Sequence, residues 1–312
     1  MTTKAADALP QVIEQVRALH EAADRERLTF THWVPRSERT QRQRLFVASV
    51  LDGTPRYVAK VSLDSEDQMV AREWEMLTAL HGGSITVPDP VRPLERGFAM
   101  ANVGARDLPD VLVGADRTEW SRLILRGVEA GATVHLSGGP IRRDGAAYGL
   151  VGADGPAYPT ETREALTRAA VGAVHGDMGP WNFRVCEDGT VSLIDWEDFS
   201  VQGICALDVL NLVLTAALIA YPEYRERGFD WLFDQLYDGE GPYQVAARAG
   251  LARYAELTGE SPSTVLALTP VFCDAMVRRI RAQGRPVEHL FFQPLAARFR
   301  ARPLRQVGGR RG

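Results

Sequence analysis

The eight residues His175-Gly176-Asp177-Met178-Gly179-Pro180-Trp181-Asn182 are followed by the apolar run Val191-Ser192-Leu193-Ile194-Asp195. A Gly-Pro turn leading into a short strand-like run requires a tight loop and a hairpin. Asp177 and Asn182 lie five residues apart across that turn, so both can face one cavity. Asp195 closes the apolar strand and returns a third side-chain oxygen. Two carboxylates and one carboxamide are hard oxygen donors. Mg²⁺ favours one or two such ligands beside waters and phosphates.

Length and charge bound what surrounds this motif. The 312 residues are 45% hydrophobic and 24% charged, an ordinary globular composition with ample material for a core. Net charge is −4, unevenly spread. Arg298, Arg300, Arg302, Arg305, Arg310 and Arg311 fall within residues 298–312, which carry no acid. The rest is acidic, with 40 carboxylates against 30 basic groups, which argues against nucleic acid as a partner. The basic terminus reads as frayed and solvated. Met1 to Gln15 has neither the basic start nor the apolar run of a secretory signal. The most apolar stretch, Val209 to Ala220, is too short to span a bilayer and contains Asn211, so it reads as a buried helix. No membrane association is expected. Cys186, Cys205 and Cys273 have no metal-ligand spacing and an odd count, which suits reduced thiols in a cytoplasm.

Only Lys4 and Lys60 are lysine among the 36 basic residues. Lys60 lies within the apolar run Tyr57-Val58-Ala59-Lys60-Val61. Retaining a slender point charge there marks a site that a planar guanidinium would not fit.

Hydrophobic periodicity gives the organisation. A helix is expected within Ala8–Arg27, then strands at Leu28–Val34, Leu45–Leu51 and Arg56–Val61, the last two joined by an Asp52-Gly53-Thr54 turn. Glu66–Leu80 reads as a helix burying Met69, Trp74, Leu77 and Leu80. After Pro88-Asp89-Pro90 come strand-like runs at Val91–Leu94 and Gly97–Ala101. Helices are expected at Thr118–Leu136, Thr160–Ala170, Gly203–Ala220, Tyr243–Leu257, Pro262–Ala282 and Val287–Arg300. A β-rich first third and a helical remainder, joined near Met100–Gly104, give an α+β class with two lobes: residues 1–101 and residues 102–312.

His175-Gly176-Asp177 with Asn182, followed by Ile194-Asp195-Trp196-Glu197, resembles the signature of the aminoglycoside phosphotransferase and choline kinase group, which has the protein-kinase-like fold. The likeness runs from about residue 28 to 220. It implies an ATP- or GTP-dependent kinase that phosphorylates a hydroxyl of a small molecule, the nucleotide in the first lobe and the acceptor in the second. Asp177 would aim the acceptor hydroxyl and take its proton, with Mg²⁺ on Asn182 and Asp195. Lys60 matches the strand lysine that contacts the α- and β-phosphates. Glu73 resembles its helix partner; Glu75 lies about 200° around the helix and cannot face the same way. Met100, Ala101, Asn102 and Val103 look like the hinge whose backbone meets the base. His175 is expected to fix the loop by hydrogen bonding, Trp181 to pack it against the helical lobe, and Asp208 to brace it.

The loop Pro35-Arg36-Ser37-Glu38-Arg39-Thr40-Gln41 lacks the glycines of a protein kinase; Ser37, Thr40 or backbone amides would serve instead. A dinucleotide fingerprint at Gly149, Gly152 and Gly155 is disfavoured, since no strand precedes it. The acceptor stays open: an aminoglycoside or other antibiotic, a nucleoside, a sugar or an amino alcohol. Glu197, Asp198, Asp230, Asp234, Asp238 and Glu240 would suit a cationic acceptor, although such a run is more often a solvated face. Trp231, Phe233, Tyr237 and Tyr243 would suit a ring. A nucleotide-binding regulator without activity is the alternative.

Overall fold

The computed structural model describes residues 3–35, 43–104, 106–139, 141–143 and 158–308. The sequence features at Ser37 and Thr40, at Gly149, Gly152 and Gly155, and at Arg310 and Arg311 lie outside the described residues. The chain forms two compact units, Met1–Val103 with Ile194–Glu197 and Gly104–Leu193 with Asp198–Gly312.

The first unit contains α1 (Thr3–Arg17), β1 (Leu28–Trp33), β2 (Arg44–Leu51), β3 (Thr54–Ser62), α2 (Met69–Leu80), β4 (Pro90–Leu94) and β5 (Gly97–Ala101). The strands form one antiparallel sheet in the order β1-β2-β3-β5-β4. Asp52 and Gly53, both at positive φ, turn β2 into β3 with Leu51 opposite Thr54, the backbone a two-residue hairpin requires. Ala5, Val12 and Val16 of α1 form one core with Leu45, Val47, Ala59 and Val61. Side chains alternate along a strand, so Lys60, between Ala59 and Val61, points to the opposite face. α2 buries Val70, Glu73 and Leu77. The expected stripe is thus rotated: Met69, Trp74 and Leu80 are only half-buried, because the helix turns a carboxylate inward.

The second unit begins with β6 (Arg106–Asp107), α3 (Leu108–Leu112), α4 (Arg117–Ser137), β7 (Arg142–Arg143), α5 (Thr160–Arg168) and β8 (Ala170–Val174). It continues with β9 (Phe183–Val185), β10 (Val191–Leu193), β11 (Ser200–Ile204), α6 (Cys205–Ala220), α7 (Tyr224–Asp238), α8 (Pro242–Thr258), α9 (Pro262–Ala267), α10 (Thr269–Ala282) and α11 (Phe292–Ala301). Two small sheets, β10-β9-β6 and β11-β8-β7, lie in it. α6 buries Cys205, Ala206 and Asp208 through Ala217, as an all-round apolar helix should. This α+β class, a β-rich N-terminal unit and a mainly helical C-terminal one, is the architecture the sequence predicts.

Several expectations need correction. α7 was not anticipated; Gly228, at φ 83°, breaks its helical geometry and its periodicity. The helix expected over 262–282 is two, broken at Leu268. Through its described residues, 298–308, the C-terminal segment is not a frayed tail. Phe299, Leu304 and Val307 are buried, Arg298 pairs with Asp234, and Arg302 pairs with Asp238 at 2.7 Å. Phe233, Tyr237 and Tyr243 are likewise core, and Arg227 stacks 4.3 Å over Trp231; they do not form an exposed ring platform. All three cysteines are free thiols. Among the described residues no helix is long and apolar enough to cross a membrane.

Candidate active site

In the first unit the chemistry gathers on the sheet face opposite α1. The Lys60 ammonium donates to Glu73 Oε2 and, at 2.6 Å, to Asp195 Oδ1. Glu73 is buried, whereas Glu75 is exposed. Glu73 Oε1 also accepts from the Trp196 backbone N–H at 3.3 Å, so one helix carboxylate holds both the strand lysine and the segment that carries Asp195. Burial opposes the Lys60 charge, but the carboxylates, Asp195 foremost and then Glu73, hold its pKa well above the usual lysine range. Asp195 adopts φ 64°, a left-handed conformation uncommon for a residue with a side chain.

Glu197 corrects the expectation of a solvated or substrate-facing carboxylate. It is buried and lies 2.6 Å from Arg44 Nη1 and 3.7 Å from Lys60 Nζ. Arg44, which also donates to Asp67 at 3.1 Å, was missed. Its position at the start of β2 carried no motif; only the tertiary pairing marks it. The N–H groups of Ala101 and Asn102 donate to Asp89 O at 2.9 Å and Arg56 O at 2.8 Å. Within Met100–Val103, those two N–H groups are thus already engaged by the backbone.

In the second unit the loop after β8 carries His175, Asp177 and Asn182. Asp208, in the first turn of α6, accepts from the backbone N–H of His175 at 2.7 Å and of Gly176 at 3.0 Å. His135 of α4 donates from Nε2 to Asp208 Oδ2 at 3.3 Å, and its Nδ1 lies 3.0 Å from Tyr254 Oη. The Asp177 N–H donates to His175 Nδ1 at 3.3 Å, so that nitrogen carries no proton and the ring splints the loop. Asn182 Nδ2 donates to the Asp177 carbonyl at 2.7 Å. This fixes the amide so that Oδ1 is the atom turned away from the loop. Asn182 directly precedes β9, and β10 ends two residues before Asp195.

The Asp177 carboxylate is held at both oxygens. Asn211 Nδ2 donates to Oδ1 at 3.2 Å, and Arg279 Nη2 lies 2.8 Å from Oδ2. Arg279 also binds Asp198 Oδ2 at 2.5 Å and the Gly176 carbonyl at 3.1 Å. Asp198 is thus ion-paired rather than a bare acid. Sequence reading missed Arg279 and Asn211; an Asn within an apolar helix was the one available signal. Trp181 corrects another expectation. It is 42% exposed and folds back over Gly179, where a Cβ would lie 2.3 Å from its ring.

The donor set suits a hard cation. Among the described residues, Glu73, Asp195 and Glu197 are the carboxylates whose oxygens come within 4.8 Å of one another. Lys60 and Arg44 already neutralise much of this group, and Asp195, with a side chain 33% exposed, is its open member. Carboxylate oxygens of this kind are what Mg²⁺ takes beside phosphates and waters; within the second unit, Asn182 Oδ1 is a neutral oxygen of the same hard class.

No protein-family profile and no curated protein matches the chain. Solved structures do. The choline kinase LicA from Streptococcus pneumoniae shares 14% identity over 95% of this chain and 98% of its own, with a TM-score of 0.49. The macrolide 2'-phosphotransferase MphH from Brachybacterium faecium shares 14% over 92% and 98%, with a TM-score of 0.48. The streptomycin–ATP complex of APH(2")-IIa shares 14% over 90% and 94%, with a TM-score of 0.47.

Proposed function

We propose that the chain is an ATP- or GTP-dependent O-phosphotransferase acting on a hydroxyl of a small molecule, with residues 1–101 as nucleotide-binding lobe and 102–312 as catalytic and acceptor-binding lobe. The observation that carries this reading is the hold on Asp177: a carboxylate fixed at both oxygens on a loop braced by Asp208. Such a group aims a nucleophile rather than merely filling space. A carboxylate has about four lone-pair sites, so two remain to accept an acceptor O–H. The charged Lys60, held by Glu73, supports the nucleotide half of the reading.

In the reaction, the acceptor oxygen forms a bond to the γ-phosphorus as the bond from that phosphorus to the β,γ-bridging oxygen breaks. The acceptor proton passes to Asp177, and the nucleoside diphosphate leaves. With a loose transition state the proton transfer comes late, so orientation matters as much as basicity. Lys60 meets the α- and β-phosphates as a point charge, and Glu73 keeps it in place. Met100, Ala101, Asn102 and Val103 receive the base. Asn182 and Asp195 would hold Mg²⁺, which would supply charge neutralisation at the phosphates. His175 and Asp208 keep the loop in register. Free thiols suit action in a reducing cytoplasm.

A coupled assay with Mg²⁺, ATP or GTP, and a panel of hydroxyl acceptors tests this. Turnover is expected, and Asp177→Ala should lower kcat by about 10²-fold or more. Unchanged turnover in that variant overturns the assignment; nucleotide binding without transfer to any acceptor favours the inactive regulator.

A further inference from the structure

A cavity of about 250 Å³ opens beside the residues that hold Asp177. Ile204, Leu207, Phe272, Ala275 and Met276 make its body apolar. Asn211 and Arg279, the two side chains bonded to the Asp177 carboxylate, are both in its wall. Resting on the kinase reading above, we infer that the acceptor is a compact alcohol with an apolar body and no positive charge, and that Arg279 sets this selectivity.

The argument begins with size. At about 250 Å³ the cavity falls below the roughly 300–1,000 Å³ common for drug-sized ligands, so it suits a small alcohol and not an oligosaccharide. Charge is the stronger constraint. Every carboxylate oxygen of Asp177 and Asp208 already has a donor: Asp177 from Asn211 and Arg279, Asp208 from Gly176, His175 and His135. Asp198 is bound by the same guanidinium. An entering ammonium finds none of these four oxygens bare and meets a fixed cation in the wall. It must share oxygens already held by Arg279 and by amide and backbone N–H groups, against the repulsion of that guanidinium and in a pocket that is otherwise apolar. A hydroxyl meets neither obstacle. It can share the remaining lone pairs of Asp177. Asn211, 2% exposed, carries an Oδ1 with no hydrogen-bond partner, its Nδ2 being committed to Asp177. That buried acceptor in the cavity wall is matched by a ligand O–H and not by a trimethylammonium group, which has no donor.

The test compares molecules that differ only in charge. Choline and its uncharged carbon isostere 3,3-dimethylbutan-1-ol are offered to the 312-residue chain with Mg²⁺ and ATP, with 4-hydroxy-2,2-dimethylbutanoate, in which a carboxylate replaces one methyl of the isostere, as the anionic arm. Phosphate transfer is read directly on each product. The expected result is a kcat/KM for the neutral or the anionic alcohol at least about tenfold above that for choline, the scale of a 1.4 kcal/mol difference. Which of the two prevails decides whether the guanidinium merely excludes cations or also binds an anion. Arg279→Gln should shrink the preference about tenfold or more, whereas Arg279→Lys should keep it. A residue with only a structural role would lower all three rates together and leave the ratio unmoved. Choline equal to or better than the isostere overturns the inference and leaves the kinase reading standing. So does failure of both uncharged and anionic alcohols while any cationic amino alcohol is phosphorylated on its hydroxyl. If Arg279→Gln does not fold, the wild-type ratio alone decides. Failure of Mg·ATP to bind in calorimetry, or of every acceptor to be phosphorylated, overturns the kinase reading and this inference with it.

Discussion

Lys60 joins deep burial to a full charge in one side chain. It is 2% exposed, and a buried ammonium is tolerable only with partners that replace its water. Glu73 and Asp195 supply them. Removing the cation leaves buried carboxylates facing one another, the costly half of a broken pair. Lys60→Met should therefore destabilise the protein by about 3–5 kcal/mol, read as a fall in urea midpoint, besides abolishing turnover. Lys60→Arg should not restore activity, because a planar fork cannot replace a point charge between those two carboxylates. Arg302, by contrast, has a side chain 43% exposed in its pair with Asp238. Exposed pairs contribute roughly 0–1 kcal/mol, so Arg302→Ala should move the midpoint little. Equal losses in the two variants would show that burial is not what makes Lys60 matter.

At the scale of elements, the loop after β8 depends on backbone geometry as well as on its acids. Gly176 adopts φ 84°, and a Cβ there would lie 2.4 Å from the Asp198 carbonyl oxygen. Gly53 adopts nearly the same φ, 82°, with nothing within 4 Å. Left-handed backbone alone costs a side-chain-bearing residue roughly 1–2 kcal/mol. Gly53→Ala should cost about that much and spare catalysis. Gly176→Ala should cost more and abolish turnover, because the chain must move away from Asp198 beside Asp177. Calorimetry of both variants, with kcat, separates strain from contact. The joint between this loop and α6 also responds to pH. Burial pushes the Asp208 carboxyl up, but the His135 hydrogen bond and charge, with the field and backbone N–H of His175, outweigh it and hold the pKa below the usual aspartate value. A depressed carboxylate stabilises the fold above its unfolded pKa of about 3.9 and loses that contribution as pH falls through the folded value. Asp208→Asn should be clearly less stable than wild type at neutral pH, and the gap in urea midpoint should narrow below about pH 4. A gap constant with pH would refute the assignment.

For the molecule as a whole, the C-terminal segment belongs to the packed structure. Phe299 is fully buried and should cost about 3–5 kcal/mol when cut to alanine, several times any one of the arginine pairs around it. A melting temperature unchanged in Phe299→Ala would mean that α11 does not dock. The α+β class, strand-rich at the N-terminal side and helical after it, was legible in the sequence because alternation and helical periodicity are local signals. Gly97–Ala101 appears as a strand, and the apolar run ending at Ala220 as a buried helix. So were the residues with a distinctive spacing: Asp177, Asn182 and Asp195, and a lysine alone in an apolar strand. α7 was not legible, since Gly228 interrupts its period. Nor were Arg44, Asn211 and Arg279, for a different reason. Their roles consist of distances to residues 153, 34 and 102 positions away, namely Glu197 and Asp177 in both remaining cases. Sequence by itself determined which groups are present and which local element carries each. Whether a carboxylate stands bare, splinted or paired is decided by what the folded chain brings against it, because electrostatic and hydrogen-bond energies depend on separation and burial, not on order along the chain. That is why Asp198 reads in sequence as an open acid for a cation, and in the structure as one arm of an arginine clamp.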